Sequence, residues 1–296
     1  MKLLVFSVLA ALTLSACDRL SSSPTEPTGP LQGNSVSYTA IGASDAAGVG
    51  SSAPCVPFTP CANGMGYVPD LVRSFQNAGK QVTLLNLGVP GTVLNKEIQD
   101  LGNSLDSGSS GFPGIEGSIP SNFLDNQAPL VAKDSTLVTV FAGGNDANII
   151  GRALEAGLGG SDPQTYVTKL TADFGRDAKA LVTTVQGRAP QARIVVLNLP
   201  NLAALPYAAG YSRSDKAALQ QIAVGLSAQL NALTSTGALV IDVMCDTAFY
   251  QTSLFSSDGF HPNDAGYARM ASVIYPVATT GVAPQPQASC GQMHVY

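Results

Sequence analysis

The sequence predicts an α/β fold in which helices cover both faces of one parallel β-sheet. Five strand-like segments alternate with helix-like segments, and several of these strands are nearly continuous apolar runs. Strands that are apolar along their whole length are typical of parallel sheets, whose two faces are both buried. Apolar residues make up 45% of the chain, which is enough for a large core, and no internal repeat is visible. We therefore expect one sizeable domain, over residues 36–296.

The predicted strands are short, rich in β-forming residues and followed by turn-forming residues. They cover residues 36–42, 81–87, 136–141, 193–199 and 238–243. The predicted helices cover residues 65–79, a run from residue 92, residues 121–132, a long segment ending near residue 186, and residues 212–234 and 263–277. A loop is predicted near residues 151–163, before the long helix. In a parallel α/β fold, ligands bind beyond the carboxyl ends of the strands, so the loops at that edge are the expected site.

The first 35 residues are predicted to precede the domain. Residues 1–16 combine one lysine, an apolar run and then small residues, which is typical of a signal peptide and too short for a membrane-spanning helix. The segment Leu14–Cys17 resembles the bacterial lipobox, in which the cysteine carries the lipid; the alternative is an ordinary secretory signal. Residues 17–35 are rich in Ser, Pro and Gly, and we interpret them as a flexible tether. We therefore expect an extracytoplasmic lipoprotein that is anchored to a membrane through Cys17.

Four cysteines remain when Cys17 is set aside, and an exported protein can keep them as disulfides. Four cysteines allow three pairings. Cys55 and Cys61 flank a loop short enough to close on itself, and Cys245 would then pair with Cys290 and pin the C-terminal tail. A metal site is not indicated, because there is no close Cys-x-x-Cys pair and no pair of histidines.

The charged residues give no indication of a nucleic-acid partner. The formal net charge is −5, and the Lys and Arg residues are scattered. A protein that binds nucleic acid usually carries a basic stripe or patch, which this sequence lacks.

Histidine chemistry depends on one residue in this chain. Of the two histidines, His294 lies close to the end of the sequence and His261 lies just before a helix-like segment. Histidine is the side chain that most readily acts as a base near neutral pH, so His261 is the candidate base. Asp258, three residues earlier, could orient its ring, or it could cap the next helix. Ser44, in the turn after the first strand, is the hydroxyl such a base would activate, although most serines in turns simply cap helices.

Gly88 and Asn145 follow the second and third strands and supply the donors that a serine nucleophile also requires. The tetrahedral intermediate of acyl transfer carries an oxyanion, which preorganised N–H groups stabilise. A glycine exposes its backbone N–H, and an asparagine side chain offers uncharged N–H donors. Taken alone, each of these loops is more commonly an ordinary turn or a helix cap.

Together, four motifs resemble those of the SGNH hydrolases, also called the GDSL esterase/lipase family. They are Gly-Ala-Ser-Asp at 42–45, Asn-Leu-Gly-Val-Pro-Gly at 86–91, Gly-Gly-Asn-Asp at 143–146 and Asp-Gly-Phe-His-Pro-Asn at 258–263. The resemblance implies a flavodoxin-like three-layer α/β/α sandwich with a five-stranded parallel sheet. It also implies a nucleophile, a base and its orienting carboxylate, and an oxyanion hole made by the nucleophile's N–H, a glycine and an asparagine; in this sequence these are Ser44, His261, Asp258, Gly88 and Asn145.

The resemblance predicts a serine esterase that hydrolyses a small-molecule or lipid ester through an acyl-enzyme on Ser44, without metal or cofactor. The alternatives are an acyltransferase or carbohydrate deacetylase that uses the same residues, and a surface lipoprotein that binds without catalysis. The sequence departs from the family at one position: Ala43 replaces the usual aspartate before the serine, and Asp45 follows it. We expect rearranged local hydrogen bonds at this turn.

Substrate contacts are expected from apolar residues in loops at the carboxyl edge of the sheet. Phe112 and Ile115 lie in a Gly- and Ser-rich loop over residues 102–120. Loops of this length inside a compact domain are usually functional or mobile. Leu202 and Tyr207 follow the fourth strand and are the other candidates.

Overall fold

A computed structural model of the chain describes residues 31–105 and 118–296. The predicted signal peptide, Cys17, most of the predicted tether, and the candidate contacts Phe112 and Ile115 lie outside the described residues. Leu31 already belongs to the domain, because its backbone N–H donates to the Thr279 carbonyl oxygen at 3.0 Å.

Five parallel strands form one sheet, in the order β2-β1-β3-β4-β5. The strands are β1 Ser35–Gly42, β2 Gln81–Asn86, β3 Leu137–Phe141, β4 Arg193–Leu197 and β5 Leu239–Ile241. The predicted fold class is therefore confirmed. Each predicted strand coincides with one observed strand, and the observed β4 and β5 end two residues earlier than predicted.

Seven α-helices surround the sheet in the described part of the chain. They are α1 Ser44–Ala47, α2 Tyr67–Asn77, α3 Lys96–Leu105, α4 Gly144–Glu155, α5 Pro163–Arg188, α6 Arg213–Asn231 and α7 Asp264–Thr280. Side chains of α3, α4, α5 and α6 contribute to one apolar core, and side chains of α2 and α7 contribute to the other.

Alternate residues of the strands supply the two cores. Val138 and Val140 of β3 face the core beneath α3–α6, whereas Leu137 faces the core beneath α2 and α7. On β4, Val196 faces the core beneath α3–α6 and Val195 faces the core beneath α2 and α7. Because side chains alternate along a strand, a strand that is buried on both faces is apolar at most positions, which explains the nearly continuous apolar runs.

Two local predictions were wrong. Residues 121–132 do not form an α-helix but a short π-helical turn, Phe123–Gln127, followed by a 3₁₀ turn, Ala128–Leu130. Pro129 has no N–H, so it cannot donate the bond that would continue an α-helix. Conversely, the loop predicted from residue 151 begins later, because α4 continues to Glu155 and the chain turns only at Gly157, where φ is +79°.

Both predicted disulfides are present, Cys55–Cys61 and Cys245–Cys290. The second one fixes a tail that also bonds to α6: the Gln220 side-chain oxygen accepts the N–H groups of Val295 at 2.9 Å and Tyr296 at 3.0 Å. Of the helices described, none is both long and apolar enough to cross a membrane.

Candidate active site

The loops after β1, β2 and β3 and the loop before α7 meet at the carboxyl edge of the sheet. Ser44 is the first residue of α1 and follows β1 after a single residue. The turn is tight, because a Cβ atom on Gly42 would lie 2.6 Å from the Cβ of Ala46. This geometry places the Ser44 side chain at the start of a short helix, in a buried position with 2% of its surface exposed.

Ser44, His261 and Asp258 form a chain of two hydrogen bonds. Ser44 Oγ lies 2.9 Å from His261 Nε2, and His261 Nδ1 lies 2.6 Å from Asp258 Oδ2. His261 is 2% exposed, so its contact with the serine is shielded from water. The structure thus brings together the three residues that the sequence singled out as nucleophile, base and orienting group.

The loop before α7 holds Asp258 in its ionised form. Asp258 Oδ1 accepts the backbone N–H groups of Phe260 at 2.8 Å and His261 at 2.9 Å, together with the Ser256 hydroxyl at 2.9 Å. Partial burial raises the pKa of Asp258. The hydrogen bonds from the His261 ring and from these backbone groups together lower the pKa by more than burial raises it, so the net pKa is well below the ordinary value. An ionised carboxylate only accepts hydrogen bonds, so Nδ1 of His261 carries a proton. Nε2 of the neutral ring is then free to accept the Ser44 hydroxyl proton.

Gly259 allows this loop to turn. Its φ is +69°, a conformation that glycine adopts without strain. A Cβ atom at this position would also lie 2.6 Å from the backbone nitrogen of Tyr207, so the loop packs closely against the segment that follows β4.

Asn145 lies in the first turn of α4 and is 6% exposed. Its side-chain Nδ2 donates to the carbonyl oxygen of Thr92 at 2.9 Å, which uses one of its two hydrogens and leaves the other. The next residue, Asp146, is fully buried, and its Oδ1 accepts the N–H of Leu94 at 2.9 Å. Burial raises the pKa of Asp146 to about 7. Two adjacent side chains of α4 therefore hold the loop that follows β2.

The structure argues against Gly88 as an oxyanion donor. The Gly88 N–H donates to the side-chain oxygen of Asn86 at 2.9 Å, and the Asn86 amide in turn donates to the Ala46 carbonyl oxygen at 2.8 Å. A Cβ atom on Gly88 would lie 2.7 Å from the Cβ of Ala46. Glycine at this position thus lets the loop close against α1, and its N–H is already in use.

Gly91 is the second glycine of this loop, and the sequence interpretation did not single it out. It is buried, its φ is +82°, and its N–H has no hydrogen-bond partner among the described residues. It precedes Thr92, whose carbonyl oxygen accepts the Asn145 amide. The second glycine of the Gly-Val-Pro-Gly segment is visible in the sequence. Only the structure shows that the Gly88 N–H is hydrogen-bonded, whereas the Gly91 N–H has no partner among the described residues.

The turn that carries Ser44 differs from the family pattern in a way that the structure describes. Ala43 is buried and gives no side-chain cap to α1. Gln127 instead bonds both backbone groups of Gly42, accepting its N–H at 3.1 Å and donating to its carbonyl oxygen at 3.0 Å. Asp45 is partly buried; burial raises its pKa, and the nearby His261 opposes this shift. Gln127 was not singled out in the sequence, because it lies far along the chain from the turn that it supports.

Two cavities adjoin these residues, and they differ in size and in chemistry. We call the first the apolar cavity; it has a volume of about 60 Å³, and its lining includes Ala43, Asp45, Asn145, Leu202 and Phe260. Ala43 and Asp45, the two chain neighbours of Ser44, are part of this lining.

We call the second the Tyr207 groove; it has a volume of about 600 Å³ and follows α4 and the start of α6. Its lining includes Asn148, Arg152, Glu155, Tyr207, Tyr211, Asp215 and Asp258. Of the candidate substrate contacts, Leu202 therefore lines the apolar cavity and Tyr207 lines the groove. Within residues 31–105 and 118–296, no group of three or more His, Cys, Asp or Glu side chains could hold a metal ion.

Comparisons with known proteins agree with this fold. A family model described as GDSL-like Lipase/Acylhydrolase matches residues 40–269. An extracellular lipase from Streptomyces rimosus is 20% identical with a TM-score of 0.54, and the match covers 82% of this chain and 100% of that one. A phospholipase A1 from Streptomyces albidoflavus NA297 is 18% identical with a TM-score of 0.51, and the match covers 82% of this chain and 97% of that one.

A lipase from a goat rumen metagenome is 18% identical with a TM-score of 0.53, and the match covers 82% of this chain and 98% of that one. A search of curated proteins finds no match. At these identities the solved structures establish similarity of fold. The family model spans most of the described domain and includes all four motifs. The chain therefore belongs to the GDSL-like lipase/acylhydrolase family.

Proposed function

We propose that this protein is a serine esterase that hydrolyses carboxylic esters through an acyl-enzyme on Ser44. The observation that carries the proposal is the buried chain of hydrogen bonds from Asp258 through His261 to the Ser44 hydroxyl. The His261 Nε2 atom takes the Ser44 proton as Oγ attacks the ester carbonyl, and it then returns that proton to the departing alcohol. In the second half-reaction, Nε2 activates a water molecule that releases the acid and regenerates Ser44.

Three donors support the oxyanion in this proposal. The Ser44 N–H lies at the start of α1, where a backbone N–H has no partner within the helix. Asn145 supplies the side-chain hydrogen that Thr92 does not use. The Gly91 N–H, next in the chain to Thr92, replaces Gly88 as the backbone donor of the loop after β2.

The apolar cavity supports a short acyl group. Its volume is about 60 Å³. This is a small space, because one water molecule alone needs about 10–15 Å³ on this measure, and it favours a short acyl group over a long one. The lining of this cavity, which includes Leu202 and Phe260, is mainly apolar and would bind a hydrocarbon chain rather than a charged one.

A series of p-nitrophenyl esters of graded acyl length tests this proposal. We expect hydrolysis of acetyl to butyryl esters, with kcat/KM falling as the chain grows beyond the capacity of the cavity. The Ser44→Ala variant should be inactive on every member of the series. Equal hydrolysis by wild type and Ser44→Ala would contradict the proposal, and a rate that rises steadily to long chains would contradict the assigned acyl site.

We also propose that the protein is exported and anchored to a membrane through lipid on Cys17. The lipobox-like sequence at 14–17 and two disulfides, which persist in oxidising compartments, support this location. The Cys17→Ala variant should move from the membrane fraction to the soluble fraction. Retention of that variant in the membrane fraction would contradict lipid anchoring.

A further inference from the structure

We propose that Gln220 is a positioning residue for the reaction at Ser44, because it ties the C-terminal tail to the segment that supports the catalytic histidine. We call residues 287–296 the strap and residues 258–261 the base loop. The inference rests on the proposed function, since the base loop acts through the hydrogen bond between His261 and Ser44. It goes further by giving a side chain of α6 and the strap a role in the rate of the reaction.

Gln220 is a buried residue of α6 that makes hydrogen bonds to two distant segments. Only 8% of its surface is exposed. From the strap, its side-chain oxygen accepts the N–H groups of Val295 at 2.9 Å and Tyr296 at 3.0 Å, and its amide nitrogen donates to the backbone oxygen of Tyr296 at 2.8 Å. The same side-chain oxygen accepts the side-chain amide of Asn201 at 2.9 Å. Gln220 therefore joins the strap to the loop that follows β4.

The strap also contacts Asn201 directly. Asn201 is fully buried, and its side-chain amide donates to the carbonyl oxygen of Gln292 at 2.8 Å. Its side-chain oxygen accepts the N–H of Ala203 at 3.1 Å, and its own N–H donates to the Tyr250 hydroxyl at 2.8 Å. Buried polar groups are costly to leave without partners, so these bonds fix the start of the segment 201–207.

The segment 201–207 packs against the base loop. The Tyr207 N–H donates to the carbonyl oxygen of Gly259 at 3.0 Å, and a Cβ atom on Gly259 would lie 2.6 Å from the Tyr207 nitrogen. The ring of Phe260 packs edge-on against the rings of Tyr207 and His261, with centroids 4.9 Å and 5.0 Å apart. Because these groups are closely packed, a shift of Tyr207 would displace the base loop and with it His261.

The strap and the bonds inside the base loop fix different distances. Asp258 accepts the backbone N–H of His261 at 2.9 Å, so the arrangement of these two residues is set within the loop. The 2.9 Å contact between His261 Nε2 and Ser44 Oγ joins residues far apart in the chain, so it depends on where the whole loop lies. Loosening the strap should therefore impair proton transfer from Ser44 while leaving the pair of Asp258 and His261 intact.

A disulfide attaches the other end of the strap. Cys290 is bonded to Cys245, which lies just after β5, and the N–H of Gln287 donates to Asp242 Oδ2 at 2.8 Å. The strap is thus held covalently near β5 and by hydrogen bonds at Gln220. Breaking either attachment should loosen the same segment.

Kinetics of the Gln220→Met variant on p-nitrophenyl acetate test the inference. Methionine is unbranched and flexible like glutamine but is only a weak acceptor and no donor. We expect kcat to fall by about tenfold with little change in KM. Gln221→Met is the matched control and should preserve kcat, because Gln221 is exposed and bonds to Gln164 instead of the strap. Unchanged kcat in Gln220→Met, a change confined to KM, or equal losses in the two variants would overturn the inference.

The paired substitution Cys245→Ser/Cys290→Ser tests the strap without touching α6. It leaves Gln220 in place, so it also carries the test if Gln220→Met does not fold. We expect a loss of kcat comparable to that of Gln220→Met, again with little change in KM. Wild-type kcat in a folded Cys245→Ser/Cys290→Ser protein would show that the tail does not act as a strap.

Hydrogen exchange followed by NMR separates this inference from the proposed function. The Tyr207 N–H reports on the bond to Gly259, and the Val140 N–H in the central strand β3 is the reference for global unfolding. In Gln220→Met we expect faster exchange at Tyr207 relative to Val140. No acceleration at Tyr207, or equal acceleration at both amides, would overturn the inference. If wild type hydrolyses no ester, the proposed function fails, and the exchange result still decides whether the strap holds the base loop.

Discussion

The two halves of the candidate site are held by different kinds of contact. In the base half, hydrogen bonds within one loop hold Asp258 and His261, and His261 Nε2 then contacts Ser44. In the oxyanion half, the loop after β2 and the start of α4 are held together by the bond from Asn145 to Thr92 and by the bond from the Leu94 N–H to Asp146. The base half is thus set by a short local sequence, whereas the oxyanion half depends on contacts between distant segments.

The two aspartates of these halves make the contrast concrete. Asp258 accepts two backbone N–H groups and the His261 ring, and its pKa is well below the ordinary value despite partial burial. Asp146 is fully buried, its Oδ2 has no hydrogen-bond partner among the described residues, and burial raises its pKa to about 7. The first carboxyl is held charged and the second is held neutral over much of the acidic range.

The largest expected effect is the loss of the nucleophile or the base. Ser44→Ala and His261→Ala should each lower kcat by about 10⁴–10⁶, because the two side chains act as one unit. For the same reason the double variant should be no worse than either single variant. Steady-state kinetics on one short-chain aryl ester measures all three. Additive losses in the double variant would show that the two residues act independently.

The next largest effect is expected from Asp258→Asn. The substituted amide can present an N–H to His261 Nδ1, which would place the ring proton on Nε2 and leave that atom unable to accept the Ser44 proton. We expect kcat at neutral pH to fall by about 10³–10⁴. A loss of less than about tenfold would mean that Ser44 and His261 work as a dyad, with Asp258 serving only the backbone of its loop.

A smaller effect on kcat is expected in the oxyanion half. Asn145→Ala should lower kcat by about 10²–10³ with little change in KM, because the donor is needed mainly in the transition state. The same substitution also removes the bond to Thr92, which costs about 1 kcal/mol of folding stability. Thermal unfolding of the variant separates the two effects. A change confined to KM would place Asn145 in substrate binding instead.

The last effect is on stability rather than on catalysis and concerns the pH dependence of Asp146. Its pKa in the folded state, about 7, is above its ordinary value, so its favourable contribution is present at low pH and is lost as the pH rises through 7. The Asp146→Asn variant does not titrate there, and its side-chain oxygen can still accept the Leu94 N–H. Between about pH 4 and about pH 8, the free energy of unfolding of wild type should fall relative to the variant by roughly 3–4 kcal/mol. Urea unfolding of both proteins across this range measures it, and a difference that stays constant with pH would contradict the assigned burial effect.

The sequence predicted the sheet and the base half well, because both depend on local pattern. Continuous apolar runs indicated buried parallel strands, and a histidine three residues after an aspartate fixed the base and its neighbour. The oxyanion half was predicted less well. Gly88 and Gly91 are both glycines of one loop, and the side chain of Asn86 decides which N–H is occupied. The role of Gln127 was not predicted either, because its side chain contacts the Gly42 turn from a distant part of the chain.

Reaction with a serine-directed phosphonate probe tests the central claim most directly, because it requires an activated serine but no knowledge of the substrate. At neutral pH we expect wild type to be labelled on one peptide, with the modification mapped by mass spectrometry to Ser44. Labelling should vanish in Ser44→Ala and should be strongly slowed in His261→Ala, where the serine hydroxyl remains but its base is absent. A folded wild-type protein that resists the probe, or that is labelled at another residue while Ser44→Ala reacts normally, would contradict the account.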